Sequence, residues 1–208
     1  ALHAGREPDA RGFARRVIEV LEQAEVERVI VNAAGCGSSM KEYERLFADD
    51  PPWAARARAF SARVRDVNEL LIELGEPRAP RRPLHLRVAY HDACHLAHAQ
   101  GESQQPRDLL QQVPGIELVP VAEPEMCCGS AGIYNLVQPE PARQLGERKV
   151  KNIAAVSPDI VATANPGCTL QIASIAAEMD KPLRVVHPIE LIDLSIRGRG
   201  LAGSGSGV

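Results

Sequence analysis

Two rhythms of apolar residues alternate along the chain. Between 11 and 23 they fall at Phe13, Val17, Val20 and Leu21, close to the 3.6-residue period of an amphipathic helix, and 28–31 follows as a short buried strand. After Cys36 the helical spacing returns at Met40, Tyr43, Leu46 and Phe47, until Pro51-Pro52 stops it. A longer amphipathic helix is predicted over 53–74, with Val64, Val67, Leu70, Leu71 and Leu74 on its inner stripe and Gly75 as its C-cap. The segment 76–85, rich in proline, reads as a linker. Strands are predicted at 86–90, 116–120, 159–164 and 183–186, and helices at 139–155, from Thr169 onward and at 188–196. Strands alternating with helices imply an α/β fold with a mostly parallel sheet. The Gly- and Ser-rich tail 198–208 is expected to be disordered.

Composition narrows the function classes. With 208 residues, 45% hydrophobic and 25% charged, the chain can bury a core as one or two domains. A net charge of −3 argues against a nucleic-acid partner held by phosphate neutralisation, and the arginines clustered at 56–65 and 78–87 read as a solvated helix face and a basic linker. No apolar run reaches the roughly 18 to 20 residues that cross a bilayer, so membrane contact would be peripheral. Five cysteines without a secretion signal point to a reducing, cytoplasmic compartment, where clustered thiols are more often ligands than disulfides.

Four of those cysteines, Cys94, Cys127, Cys128 and Cys168, are spaced C-x32-CC-x39-C. Adjacent side chains in a helix or strand diverge, so Cys127 and Cys128 cannot both be core residues by periodicity. Thiolates this far apart must come from different loops, and four converging soft sulfurs suit an iron–sulfur cluster or zinc. Asp92 is placed to cap a helix that would carry Cys94 in its first turn, and Asn165-Pro166-Gly167 forms the turn that presents Cys168. Both thiols would then face the positive end of a helix dipole, at the sheet edge where α/β proteins keep their sites. His91 and His95 flank Cys94 as candidate supporting donors or ligands, although capping turns and bonding to backbone is the more ordinary role for such histidines. Gly129, Gly132 and Gly167 allow close backbone approach to the sulfurs, and Asn165 and Asn135 are candidates for tethering the cysteine loops.

The chain also repeats itself. The segment from Glu7 to Cys36 reads without a gap against Pro139 to Cys168, at a constant offset of 132. Each copy runs helix, turn, apolar strand, then a Gly-Cys turn into another helix. The expected organisation is therefore a first unit at 1–75, which is incomplete, a linker at 76–85 and a complete second unit at 86–197. Under that alignment the first counterpart of the Cys127-Cys128-Gly129 turn would precede Ala1, so the chain reads as the C-terminal part of a longer protein. Cys36 is then the remnant of a partial first site, and the first unit is expected to expose apolar surface.

The motifs Asn32-Ala33-Ala34-Gly35-Cys36-Gly37, His91-Asp92-Ala93-Cys94-His95, Cys127-Cys128-Gly129-Ser130-Ala131-Gly132 and Asn165-Pro166-Gly167-Cys168 resemble the duplicated cysteine-rich CCG domains. Such domains occur in the iron–sulfur subunits of glycolate oxidase and lactate oxidation, and in the cysteine-rich subunits of anaerobic glycerol-3-phosphate dehydrogenase and heterodisulfide reductase. The resemblance runs from Ala1 to about Ile196 and is strongest to the glycolate oxidase subunit. In two places the chain departs from the heterodisulfide reductase pattern, where each domain ends in C-x-x-C: Gln171 and Ser39 stand at those positions. Four thiolates remain, enough for one [4Fe-4S] cluster or an all-thiolate zinc site.

The resemblance implies an electron-transfer subunit of a flavin-dependent glycolate-type oxidase or dehydrogenase, with FAD on a partner subunit and a quinone-type acceptor, at the inner face of the cell membrane. No Gly-x-Gly-x-x-Gly loop is present, so substrate chemistry is assigned to the partner and no catalytic residue to this chain. Two other readings stay open on the sequence alone. One is a zinc-stabilised scaffold docking the flavin subunits, and the other a thiol–disulfide enzyme using Cys127 and Cys128.

Overall fold

The computed structural model describes residues 2–75 and 79–200. Part of the expected linker and the tail from 201 lie outside the described residues. The fold is α/β, with two parallel sheets flanked by helices.

The first sheet has two strands. Helix α1 (Glu7–Gln23) opens with proline and acidic residues in its first turn and buries Ala14 and Ile18. It feeds β1 (Val29–Val31), which pairs in parallel with β2 (Val64–Asp66). Between them lie α2 (Ala34–Lys41), α3 (Tyr43–Leu46) and α4 (Pro51–Ser61), and α5 (Val67–Glu73) follows. The long helix predicted over 53–74 is thus two helices separated by a strand. Val64 does face the core, but its backbone is taken by the ladder to Val29, and Asp66 then starts a new helix with a capping box to Glu69. Pro51-Pro52 begin α4 as well as ending the preceding segment, because the missing N–H of proline costs nothing in a first turn. Gly75 adopts φ +77° just past the end of α5, as a C-terminal glycine should.

The second sheet has strand order β4-β3-β5-β6, all parallel, from β3 (Leu86–Tyr90), β4 (Ile116–Val119), β5 (Ile160–Ala162) and β6 (Val185–Val186). All three residues of β5 are buried, as expected of a central strand covered on both faces. One face packs under α8 (Pro139–Ala155) and α9 (Pro166–Glu178) through Val150, Ile153, Ile172 and Ile175. The other packs under α6 (Gln105–Gln111) and α10 (Pro188–Arg197) through Leu109, Leu110, Leu191 and Ile192. Gly198, read from sequence as the start of a disordered tail, is the left-handed cap of α10 at φ +62°.

The repeat is visible in three dimensions. Helices α1 and α8 occupy ranges that differ by the offset of 132 at both ends, and α2 and α9 start at that same offset. Strand β5 pairs on both sides, whereas β1 pairs only with β2 among the described residues. Apolar surface is exposed around it, with Phe13 66%, Val20 55% and Ile30 43% accessible. The two units meet at the start of α2: Ala34 N–H donates to the Ala164 carbonyl at 3.0 Å, and Gln100 Nε2 donates to the Ala34 carbonyl at 2.9 Å.

Candidate metal centre

Each candidate cysteine leaves the C-terminal end of a strand of the second sheet. Cys94 follows β3, the Cys127-Cys128 loop follows β4 by way of a short turn, and Cys168 lies in the first turn of α9 after β5. Adjacent parallel strands therefore bring together residues far apart in sequence. All four line one cleft of about 440 Å³, and Cys36 from α2 lines it too. The sequence reading gave Cys36 to a separate, partial site; in the structure it is exposed at the rim of the same cleft. A slightly larger hollow, about 490 Å³ between α1 and α3, contains no cysteine.

The local turns press these sulfurs together. In the Cys-Cys-Gly loop, Gly129 (φ +92°), Ala131 (φ +33°) and Gly132 (φ +68°) all adopt left-handed backbone. A Cβ at Gly129 would overlap the Ala142 carbonyl of α8, and one at Gly167 would come within 2.8 Å of Ser130 Oγ. Asn135 Nδ2 donates to Gln171 Oε1 at 3.2 Å, which ties α7 (Tyr134–Val137) to α9 at the position where the heterodisulfide reductase pattern has a cysteine. Asn165 reaches both units: its Oδ1 accepts from Gly35 N–H at 3.4 Å and its Nδ2 donates to Cys168 Sγ at 3.4 Å. The Gly129 N–H donates to Cys127 Sγ at 3.3 Å.

The thiols form a chain of contacts, Cys94 to Cys127 to Cys128 to Cys168, and their protons divide between them. Cys127 is held far below its ordinary value by hydrogen bonds from the Cys128 and Cys94 thiols and by the Gly129 N–H. Cys168 is lowered to about 5 by the Cys128 thiol, then by the His91 ring and the Asn165 amide. Cys94 and Cys128 are pushed up as the donors of those bonds and by burial. Two thiolates are thus ready-made, in a cleft with Cys128 and Cys168 buried and Cys94 and Cys127 half-buried.

His91 enters this group more deeply than its place beside Cys94 suggested. It is 3% exposed, and one of its ring nitrogens lies with the Cys128 and Cys168 sulfurs in a set whose ligand atoms are all within 4.8 Å of one another. The ring helps to hold the Cys168 thiolate and its nitrogens are otherwise unpaired among the described residues, so its polar edge faces the sulfurs. His95 Nδ1 lies 3.6 Å from Cys94 Sγ, a supporting contact. Asp92 does not cap a helix. Cys94 runs into a π-helical turn (His95–Ala99), and the Asp92 carboxylate is gripped by both terminal nitrogens of Arg107 at 2.7 and 2.6 Å. Helix α9 starts at Pro166, three residues before the predicted Thr169, which puts Cys168 inside the first turn.

Two contributors escaped the sequence reading. Gly146 of α8 lets Ile175 and the Cys128 carbonyl approach the helix backbone, and Lys149, one turn on, is 1% exposed and donates to the Glu123 and Pro124 carbonyls at 2.7 and 3.1 Å. Both occupy inner positions of α8, where the period calls for apolar side chains; a lysine there is a readable signal.

Four sulfurs and an imidazole converging at a sheet edge are a soft-metal donor set. The CCG cysteine-rich domain model matches residues 1–41 and 88–173. The chain belongs to the CCG cysteine-rich domain family. The two matched segments of the CCG model contain the first-unit Gly-Cys turn and all four clustered cysteines. The chain is 35% identical over 202 residues to the probable glycolate oxidase iron-sulfur subunit of Bacillus subtilis, covering 95% of this chain and 45% of that protein. It is 30% identical over 193 residues to lactate utilization protein A of Shouchella clausii, covering 93% and 80% respectively, and 28% identical over 199 residues to its namesake in Halalkalibacterium halodurans. The chain therefore spans less than half of the first relative's length and most of the other two.

Proposed function

We propose that this protein is an iron–sulfur electron-transfer subunit of a flavin-dependent 2-hydroxy-acid oxidase or dehydrogenase of the glycolate type. The observation that carries the reading is the convergence of Cys94, Cys127, Cys128 and Cys168 in one cleft, with two of the four already favoured as thiolates. These four would hold a single [4Fe-4S] cluster, which supplies one-electron chemistry when bound. Similarity to a probable glycolate oxidase iron-sulfur subunit and to a lactate utilization protein supports this substrate class.

The chain's own groups suit that task. The N–H of Gly129 and the Asn165 amide donate to sulfurs, and such bonds set the potential of a thiolate-bound centre. His91 stands ready as a further donor or ligand, and His95 supports Cys94. FAD and substrate oxidation belong to a partner subunit, and electrons leave toward a quinone-type acceptor. The division at 76–85 into two units belongs to the same reading, in which Cys36, on the rim of the shared cleft, is the first unit's counterpart of Cys168. No helix among the described residues is long and apolar enough to cross a membrane. A cytoplasmic location at the inner face of the membrane belongs to the same reading. Within the 56–65 cluster three arginines pair with carboxylates, Arg56 with Glu22 at 2.5 Å, Arg58 with Glu44 at 2.8 Å and Arg65 with Glu73 at 2.7 Å.

The test is anaerobic reconstitution with iron and sulfide, followed by dithionite titration. Broad visible absorbance that bleaches on reduction, and a paramagnetic signal from the reduced protein, are the expected results. A colourless protein that takes up zinc alone would make this a docking scaffold instead.

A further inference from the structure

Lys149 has no carboxylate of its own. Its ammonium is buried against the loop that delivers Cys127 and Cys128, donating to the Glu123 and Pro124 carbonyls. The Glu123 carbonyl also accepts from Met126 N–H at 3.1 Å, closing the turn that immediately precedes Cys127. One turn before Lys149, Gly146 brings the helix backbone against the Cys128 carbonyl. The acids nearest the ammonium are already matched: Asp92 by Arg107, and Glu123 by Arg148 and Asn152. Among the described residues no carboxylate lies within ion-pair distance of Lys149.

A cation taken out of water costs several kcal/mol unless charge of the opposite sign compensates it. Two carbonyl dipoles supply part of that compensation. Burial pushes the Lys149 ammonium toward its neutral form, and the Cys128 and Cys127 thiols act beside Asp92 and Glu123 to keep it charged. In the first unit the repeat places Val17 at the equivalent position of α1, so the feature belongs to the second unit.

We propose that Lys149 is the built-in countercharge of the cysteine centre: its ammonium, fixed by the Glu123 and Pro124 carbonyls, stabilises the anionic form of the Cys127-Cys128 site and of the metal held there. This rests on the reading of the four cysteines as a metal centre. Lys149 is a positioning residue, acting through charge and through the loop it pins. Reduction adds negative charge to a thiolate-bound centre, so a fixed cation favours the reduced form, and its loss lowers the potential.

The experiment compares Lys149→Gln, which keeps N–H donors for the carbonyls and removes the charge, with Lys149→Arg, which keeps both. Cobalt(II) is titrated into the full-length metal-free protein and followed by its sulfur charge-transfer absorbance, with circular dichroism as the fold control. We expect Lys149→Gln to bind about tenfold more weakly, the effect that one charge exerts over about 12 Å at an effective dielectric near 20, and Lys149→Arg to restore binding. In iron-loaded protein the same tenfold bias against the reduced state is a fall of about 59 mV in midpoint potential. Should Lys149→Gln not fold, Lys149→Met takes its place in the same comparison. Wild-type affinity and potential in the neutral variant would overturn the proposal while leaving the metal reading intact. A wild-type chain that binds no cobalt would overturn the metal reading and the proposal with it.

Discussion

Replacing Gly129 by alanine puts the tightest turn of the cysteine cleft under strain that can be worked out in advance. At φ +92° the residue occupies backbone space that an L side chain rarely adopts, and the new methyl group would overlap the Ala142 carbonyl, a backbone atom of α8 that cannot swing aside. Left-handed backbone costs roughly 1–2 kcal/mol for a residue with a Cβ, and forcing an extra carbon into a packed site about 1–3 kcal/mol more. A loss of about 3 kcal/mol is a large share of the 5–15 kcal/mol typical of a domain, and for a chain of this size corresponds to roughly 6–12 °C in Tm. The control is Gly12→Ala, in the exposed interior of α1 with nothing within 4 Å of the added carbon, which should stabilise by about 0.5–1 kcal/mol. Thermal and urea unfolding of both variants, followed by circular dichroism, decide the matter. A Gly129→Ala protein as stable as wild type would refute the claim that α8 and the Cys-Cys-Gly loop are locked together.

Removing Arg107 leaves the Asp92 carboxylate, only 5% exposed, without its partner, so Arg107→Ala should destabilise by about 3 kcal/mol in urea melts, and a value near zero would mean that the pair is not buried as described. Stability of the metal-free protein should depend on pH through the thiols. Cys168 and Cys127 are lowered from an ordinary value of 9.0, so their contribution is fully present above about 9 and is lost as pH falls toward the value near 5 of Cys168. Cys94 and Cys128 are raised, so above 9 they ionise in the unfolded chain but not in the folded one, and stability falls again. Denaturant midpoints across this range should therefore peak near pH 9, and Cys168→Ser should flatten the rise; a flat wild-type profile contradicts the thiol network.

Much of this was legible in the sequence. Short apolar stretches marked β3, despite Arg87, and β5, and the repeat located α1, α8 and the starts of α2 and α9, because that pattern is local and was present twice. The segment 53–74 misled because Val64, Val67, Leu70 and Leu71 keep a helical period across a strand that only pairing with β1 creates. The Asp66-x-x-Glu69 capping box was there to be read as a helix start. Asp92 looked like a cap until Arg107, from the next helix, claimed its carboxylate. The four cysteines were legible as a set, since spacing and a shared turn chemistry singled them out; a mechanism using Cys127 and Cys128 alone leaves Cys94 and Cys168 idle although both touch that pair. His91 was not distinguishable from a turn histidine without the coordinates of the two sulfurs beside it, nor was the placement of Cys36 on the rim of the same cleft.

The most direct test of the central claim is an anaerobic iron and acid-labile sulfide analysis of the purified chain beside its Cys128→Ser variant. The account predicts about four iron and four sulfides per chain in wild type, with loss of both in the variant, whose substitution removes the central link between the Cys127 and Cys168 thiolates. One zinc without sulfide, or iron that survives Cys128→Ser unchanged, would contradict it.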